Sequence, residues 1–334
     1  MHIRSVALAY LTTSASSIGG MHLVLCLLLL GSSWAAAQSA ATSSSSSIGP
    51  VAPCPGAPLQ DFRERSTDAA FLEQRGISYA ARRDLKDALE YLQRACELAP
   101  GTADYVYALG RVQWANGQAD LALQSFDRTL ALKPDYVQAL LARARLRFKD
   151  HASAEHDLDS VDRIASPKDE VRLDLGLTYE AIGDLRPAIH QYDLWLDAHP
   201  DDSLRSVGLA ARCRARAEAD QDLDRALEDC DSALREAASS QPTSEGFIRP
   251  HPHDNPDVLA SRGLVWLRRG EFERAIKDYD DAIDERPKIG EYRFARGLAE
   301  LRLGRQGKGR ADIAAASAMQ PDIAERFATW GLKP

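Results

Sequence analysis

The sequence predicts an all-α solenoid built from short helix hairpins. Three observations support this fold class: a hairpin pattern between residues 256 and 287, its recurrence every 34 residues, and a proline that closes each clear copy. A fixed period of roughly 20–50 residues is typical of solenoids. In such folds each repeat buries its apolar face against its neighbours rather than in one central core.

The hairpin pattern is clearest between Pro256 and Pro287. Two sets of residues fall at helical spacing, each on one helix face; they are Leu259, Gly263 and Trp266, then Ala275, Tyr279 and Ala282. Gly270 separates the sets, where a helix C-cap favours a residue that tolerates positive φ. Because glycine inside a helix costs about 0.5–1 kcal/mol relative to alanine, we expect Gly263 to mark a close helix–helix approach, with Ala275 opposite.

The same pattern recurs at a constant spacing. Gly297 follows Gly263 by 34 residues, and Pro321 follows Pro287 by 34 residues. Two copies near the start of the array share their glycine, alanine and proline positions, which are Gly76, Ala88 and Pro100, then Gly110, Ala122 and Pro134. Since several positions agree at one period, the chain is predicted to hold one extended array rather than several independent domains.

These residues resemble the tetratricopeptide repeat, a helix with the pattern Trp/Leu-x2-Leu-Gly-x2-Tyr followed by Ala-x3-Phe and a closing Pro. The first copy matches at Leu72, Gly76, Tyr79, Ala88, Leu92, Ala95 and Pro100. The resemblance implies a right-handed superhelix of helix-turn-helix hairpins over residues 60–334. Its expected repeats are 69–102, 103–136, 137–168, 169–202, 203–242, 256–289 and 290–321, followed by a capping helix at 322–334.

Two of these repeats are expected to be irregular. In the third, Ala154 and Leu158 come two residues ahead of the period, which predicts a tight turn at Lys149–Ser153. In the fifth, the distance from Ala188 to Ala226 exceeds the period by four residues. A long connection then leads to the sixth repeat.

The N-terminal 37 residues have the layout of a secretory signal peptide. An apolar core at Leu23–Leu30 is followed by small residues at Ala35–Ala37, and cleavage is expected after Ala37. The core is too short to cross a bilayer, which requires about 20 apolar residues. Met21 is an alternative start of the same leader. We therefore expect a periplasmic or secreted protein whose mature chain has no transmembrane segment.

A compositional change follows the leader. Residues 38–59 are rich in Ser, Ala and Pro, with five consecutive serines at Ser43–Ser47. Because this composition cannot bury a core, the segment is predicted to be a flexible linker between leader and array.

Composition and motifs argue against catalysis and against nucleic-acid binding. The formal net charge is -8, and no block of basic residues indicates DNA, RNA or an anionic membrane. The sequence has no Gly-x-Ser-x-Gly, no His-Glu-x-x-His and no phosphate-binding loop with Lys-Ser/Thr. The run Gly304–Arg310 resembles a phosphate loop only superficially, since it falls on the turn of the seventh repeat. No enzyme activity and no cofactor are predicted.

Four cysteines remain after the leader, at Cys54, Cys96, Cys213 and Cys230. In an oxidising compartment an even count favours disulfides, and four cysteines allow three connectivities. Cys213 and Cys230 are the best candidate pair, one on each helix of the fifth repeat; two buried thiols are the alternative.

A metal site is a weaker hypothesis. His251, His253 and Asp254 form a closely spaced run in the long connection. A competent site needs three or four ligands with orienting partners, and the neighbouring prolines suit an extended loop better. We therefore predict no metal, and keep a metal- or redox-active protein as the less favoured alternative.

The family resemblance also indicates where a partner would bind. In tetratricopeptide repeats the first helix of each hairpin lines the groove, which here places six residues there: Tyr107, Arg111, Trp114, Leu141, Arg145 and Phe148. An arginine pair flanked by aromatic rings suits peptide segments that carry carboxylates. The Lys/Asn clamp of chaperone-binding members is not matched, because Glu73 and Ile77 occupy two of its places.

The predicted function is therefore a non-catalytic protein- or peptide-binding scaffold of the bacterial cell envelope. An accessory subunit of an envelope enzyme or secretion complex is the first alternative. Should the groove lie elsewhere, the next candidate is the arginine-rich fifth repeat around Arg212, Arg214 and Arg216.

Overall fold

The computed structural model describes residues 67–239 and 255–334. Within these ranges all regular structure is α-helical, which confirms the predicted fold class. The helices are α1 (Ala69–Ala81), α2 (Leu85–Leu98), α3 (Ala103–Ala115), α4 (Ala119–Leu132), α5 (Val137–Leu146), α6 (His151–Ile164), α7 (Val171–Ile182), α8 (Leu185–Ala198), α9 (Arg205–Glu218), α10 (Leu223–Ser239), α11 (Pro256–Arg269), α12 (Phe272–Glu285), α13 (Gly290–Arg302), α14 (Gln306–Met319) and α15 (Ile323–Thr329).

Several predictions concern parts of the chain outside the described residues. They are the leader with its cleavage site after Ala37, the linker, Cys54 and the His251–Asp254 run. Among the helices that are described, none combines the length and the apolar character needed to cross a membrane.

The described helices belong to two compact units. Unit 1 ends at Ile164 and contains α1–α6, whereas unit 2 begins at Ala165 and contains α7–α15. In each unit successive helices pair as hairpins, and the first helix of a hairpin also packs on the second helix of the hairpin before it. This nearest-neighbour packing is the architecture of a solenoid. The hand of the superhelix stays a prediction.

Each regular hairpin is closed where a glycine of its first helix meets a large side chain of its second. A Cβ atom added at Gly176 would lie 2.5 Å from the ring of Tyr192, which is fully buried. At Gly263 the nearest side chain is Tyr279, at 3.0 Å, rather than the predicted Ala275, because the ring reaches across the hairpin. The other contacts of this kind are Gly76 with Leu92, Gly110 with Phe126 and Gly297 with Ile313.

The irregular third repeat has a short first helix. Helix α5 has 10 residues, compared with 13 in α3. Helix α6 begins at His151, so the turn occupies residues 147–150 and starts before the predicted Lys149–Ser153. The hydrogen bond from the Asp150 amide to the Arg147 carbonyl (2.7 Å) closes this turn.

The fifth repeat is lengthened in its turn and in its second helix. Asp220 and Asp222, in the turn between α9 and α10, have positive φ values of 54° and 47°. Helix α10 has 17 residues, against 14 in the corresponding helix α12. The connection that follows lies largely outside the described residues.

The chain ends in a short helix that packs on the seventh repeat. Ile323 and Phe327 of α15 are buried, and the Phe327 ring centroid lies 4.7 Å from those of Phe294 and Trp330. Terminal repeats of solenoids need such a cover, because the face that a successor would bury is otherwise exposed.

Candidate functional site

The predicted groove residues all lie in unit 1, but not all on helices. Tyr107, Arg111 and Trp114 belong to α3, which starts at Ala103. Leu141 and Arg145 belong to α5, whereas Phe148 lies in the turn that follows it. The structure does not test whether these residues bind a partner, so the site stays a prediction.

Tyr107 and Trp114 are anchored to the hydrophobic core of unit 1. Both rings pack against the fully buried Phe126 of α4, with centroid distances of 5.8 Å for Tyr107 and 6.4 Å for Trp114. Tyr107 also meets Tyr136, at 5.0 Å. Because each ring is fixed on one side and half-exposed on the other, it offers apolar area at little entropic cost.

Arg111 is oriented by the ring beneath it. Its guanidinium carbon lies 5.7 Å from the Tyr107 ring centroid, which is a cation–π distance. The arginine therefore extends over an aromatic surface that is itself fixed by Phe126. Arg145, one repeat later, is half-buried on α5.

Tyr136 joins this cluster to an acidic residue. Its hydroxyl donates to the Asp104 carboxylate at 2.7 Å, and Lys133 Nζ lies 5.4 Å from the ring centroid. Burial, and then the hydrogen bond to Asp104, raise the pKa of Tyr136 well above its ordinary value. The hydroxyl therefore stays protonated and remains a hydrogen-bond donor over the physiological range.

Phe148 and Leu141 differ sharply in exposure. Phe148 is 39% exposed, and Lys149 Nζ lies 5.7 Å from its ring centroid. Leu141 is only 3% exposed, so it offers almost no surface to a partner, and its predicted role in lining the groove is wrong. The reason is that residues 139–142 are all buried, which means that neighbours surround α5 on most sides.

The charge of this region changes along unit 1. Glu73 of α1 has a raised pKa, first because of burial and then because of the neighbouring carboxylate of Asp104. Arg111, Arg145 and Lys149 supply positive charge further along the chain. The candidate site thus runs from an acidic end near α1 to a basic end near α5.

A recurring arginine–aspartate contact was not predicted. In the sixth repeat Arg262 donates two hydrogen bonds to Asp278, both at 2.8 Å, and a third to Asp231 of the preceding repeat, also at 2.8 Å. The hydrogen bonds to Asp278 are the largest cause of the raised pKa of Arg262. The same contact is made by Arg143 with Asp157 and Asp127, Arg212 with Asp229 and Asp193, and Arg296 with Asp312 and Asp280.

The sequence does contain a signal for this contact. Arg262 immediately precedes Gly263, and Asp278 immediately precedes Tyr279, so the ion pair flanks the crossing of the two helices. Such a bidentate arginine–carboxylate pair fixes the register of one helix on the other. These arginines are therefore part of the scaffold rather than of a binding site.

The arginine-rich fifth repeat uses its charges internally. Arg212 and Arg216 both bond to Asp229 and Asp193. Arg214, the residue after Cys213, forms an ion pair with Glu180 of α7. Because each guanidinium group is already paired, this repeat is a poorer binding site than the inner face of unit 1.

The cysteines of the fifth repeat are joined. The structure contains a disulfide bond between Cys213 and Cys230, and both residues are fully buried. The disulfide stands where the regular hairpins place a glycine against a large side chain. Cys96 of α2 is a buried free thiol, and burial raises its pKa to about 11.

No metal or catalytic constellation accompanies these residues. Within residues 67–239 and 255–334, no group of three or more His, Cys, Asp or Glu side chains could hold a metal ion. An open polar cleft of about 370 Å³ in unit 1 is lined by Arg143, His156 and Asp157 among others. Arg143 there is engaged with two aspartates and belongs to the scaffold contact described above.

Comparison with known proteins identifies the repeat. The tetratricopeptide repeat family matches at residues 73–137, 107–170 and 261–322. No curated protein matches the sequence.

Two solved structures share the fold. One is a tetratricopeptide repeat protein from Parabacteroides merdae, with 18% identity, a TM-score of 0.56, and coverage of 79% of this chain and 98% of that one. The other is a chain of the APC/C hetero-tetramer Cut9–Hcn1, with 13% identity, a TM-score of 0.53, and coverage of 81% of this chain and 50% of that one. At these identities the likeness concerns the fold alone.

Proposed function

Because the chain belongs to the tetratricopeptide repeat family, we propose that it is a non-catalytic protein-binding module of the cell envelope. The site we propose is the inner face of unit 1, formed by Tyr107, Arg111, Trp114, Arg145 and Phe148. Its partner is an extended peptide segment that carries carboxylates.

One observation carries this proposal: Arg111 lies over the ring of Tyr107, and that ring is fixed by Phe126. A preoriented guanidinium group loses little freedom when it binds a carboxylate. Trp114 and Phe148 add half-exposed and exposed aromatic area nearby. Rigid aromatic rings beside arginine are the residue types enriched at protein interfaces.

The contrast with Arg214 supports the choice of unit 1. Arg214 is ion-paired with Glu180, whose side chain is only 8% exposed. Binding of an external carboxylate there would require that pair to break, and a buried pair is costly to break. Arg111 has an aromatic ring as its described contact, so no buried ion pair opposes binding.

A randomised peptide display library tests the proposal. Peptides selected on the protein should be enriched in Asp and Glu, and their affinity should fall as salt rises because exposed charges are screened. The double variant Arg111→Glu/Arg145→Glu should lose at least about tenfold in affinity, since charge-assisted hydrogen bonds contribute roughly 1.5–3 kcal/mol each.

The matched control is Arg186→Glu/Arg225→Glu, which makes the same change of charge at exposed positions of unit 2. It should bind the selected peptides as well as the unmodified protein does. Undiminished binding by the Arg111/Arg145 variant would place the site elsewhere, and selection of neutral or basic peptides would contradict the proposed partner.

The envelope location rests on the leader sequence and has its own test. N-terminal sequencing of the protein from cells should give a chain that begins at Gln38. A cytoplasmic product that keeps Met1 or Met21 would refute export. The binding proposal would survive that result, because it depends on residues of unit 1 alone.

A further inference from the structure

The C-terminal segment, residues 322–334, is tied to unit 2 by more than apolar packing. We call it the strap. Arg326 of the strap forms an ion pair with Glu291 of α13. Arg302 donates to the carbonyl of Lys333 at 3.0 Å. These polar contacts join the strap to α13 beside the buried contact between Phe327 and Phe294.

A third arginine links the strap to the fifth repeat. Arg268 of α11 donates from Nη2 to the carbonyl oxygens of Trp330, at 2.6 Å, and of Glu218, at 3.1 Å. Its Nε donates to the carbonyl of Ala217 at 3.2 Å, and its side chain is only 8% exposed. Because one nitrogen atom holds both carbonyls, the end of the strap lies directly against the end of α9.

The carboxylates at this junction outnumber their arginine partners. Arg214 pairs with Glu180, Arg326 with Glu291, and Arg268 with Asp220. Glu218 lies among these groups, yet within the described residues it has no ion pair of its own. If all four carboxylates were ionised, the junction would carry one uncompensated negative charge.

We propose that Glu218 makes the strap pH-sensitive: protonated Glu218 permits the closed strap, and its ionisation favours release. Release would expose Glu218 to water and would uncover Phe294, which is fully buried when the strap is closed. This device is independent of the binding site proposed in unit 1.

The titration of Glu218 gives the direction of the effect. Its pKa is raised from an ordinary 4.5 to about 8, first by burial, then by Glu180. Arg214 and Arg326 lower it, and Glu291 raises it further. Two other groups face it: the hydroxyl of Tyr192, and Arg268.

The sign follows from linkage. The closed form binds a proton that the open form, with a carboxyl of ordinary pKa, has already lost. The contribution of Glu218 to closure is therefore fully present below about pH 4.5. It is lost progressively as the pH rises to about 8, and it is constant above that value.

Hydrogen exchange of the whole protein, followed by mass spectrometry, tests the proposal. After correction for intrinsic exchange, the opening constant of residues 323–330 should rise about tenfold or more between pH 6 and pH 9. Helix α2 of unit 1 serves as the internal reference and should show no such change. Constant protection of the strap in the unmodified protein would overturn the proposal without any variant.

Two variants assign the effect to Glu218. Glu218→Gln removes the titrating group and should keep the strap closed at pH 9, with an opening constant close to its value at pH 6. Glu325→Gln, on the exposed side of α15, should open like the unmodified protein. An equal pH dependence in Glu218→Gln and the unmodified protein would show that another group controls the strap.

Discussion

Units 1 and 2 use equivalent helix positions in different ways. In unit 1 the position after the crossing glycine holds Arg111, which lies over an aromatic ring and remains half-exposed. In unit 2 the corresponding residue is Arg214, which pairs with Glu180. The first helices of unit 2 are also lined by leucines that are at most 9% exposed, namely Leu173, Leu177, Leu264 and Leu267.

This difference shows that a repeat position does not by itself determine a binding residue. The same arginine is available to a ligand where its neighbours are aromatic and is part of the scaffold where a buried carboxylate faces it. A groove assigned from the repeat alone therefore has to be checked position by position, as the burial of Leu141 illustrates.

The largest expected effect comes from neutralising the two equivalent arginines. Arg214→Gln should destabilise unit 2 by about 3–5 kcal/mol, because it leaves the buried Glu180 without its partner. Arg111→Gln should cost at most about 1 kcal/mol, the size of an exposed cation–π contact. Urea unfolding, followed by tryptophan fluorescence, measures both.

The control for this pair is the double variant Glu180→Gln/Arg214→Gln. It removes both charges and should recover part of the stability lost in Arg214→Gln. Equal losses in Arg111→Gln and Arg214→Gln would remove the distinction between the two units.

The disulfide gives the second prediction. Cys213→Ala/Cys230→Ala should lower the stability of unit 2 by about 3 kcal/mol, since the bond closes a loop between residues 17 apart. Unit 1 should keep its stability, and reduction of the unmodified protein should mimic the variant. Cys96→Ala, which removes the buried thiol of α2, is the control that should not respond to reductant. An unfolding curve of unit 2 that reductant leaves unchanged would contradict this role.

Much of the fold follows from the sequence because its signals are local. Gly263 and Pro287 mark a crossing and a helix end whatever the rest of the chain does, and their spacing gives the period. The arginine–aspartate contacts were missed because each joins residues from different helices. The signal for them, Arg before the crossing glycine and Asp before its partner, becomes meaningful only once the crossing is known.

The candidate site could be predicted only in part for a related reason. The period places Tyr107, Arg111 and Leu141 at groove positions, but it carries no information on how closely the neighbouring helix approaches. The short helix α5 leaves Leu141 enclosed and moves Phe148 into a turn. Irregular repeats are therefore where a family pattern gives the least reliable side-chain positions.

The third prediction separates the two aspartates that share Arg262. Asp278→Asn should destabilise unit 2 by about 2 kcal/mol, because a side chain that is 6% exposed then loses its bidentate pair. Asp231→Asn should cost less than about 1 kcal/mol, since Asp231 is 39% exposed and its interaction is weakened by solvent. Chemical unfolding of the two variants in parallel gives the ranking, and the reverse order would contradict the assignment of Asp278 as the structural partner.

The smallest effect concerns the turn between the two helices of a hairpin. In regular repeats the residue seven positions after the crossing glycine is itself glycine with positive φ, as at Gly117 (76°) and Gly270 (77°). Unit 1 has Arg83 (63°) at this place, and unit 2 has Asp220 (54°). A side chain in the left-handed region costs roughly 1–2 kcal/mol.

Arg83→Gly should therefore stabilise unit 1, by up to about 1 kcal/mol once the greater flexibility of unfolded glycine is subtracted. Asp220→Gly should gain less, because Asp220 also lies 3.5 Å from Arg268, and that interaction would be lost. Thermal unfolding of both variants measures the difference, with Gly101→Ala, at a glycine with no neighbour within 4 Å and no positive φ, as a reference for a turn that needs no special conformation. A gain at Asp220 that equals or exceeds the gain at Arg83 would mean that the contact with Arg268 contributes nothing to holding unit 2 together.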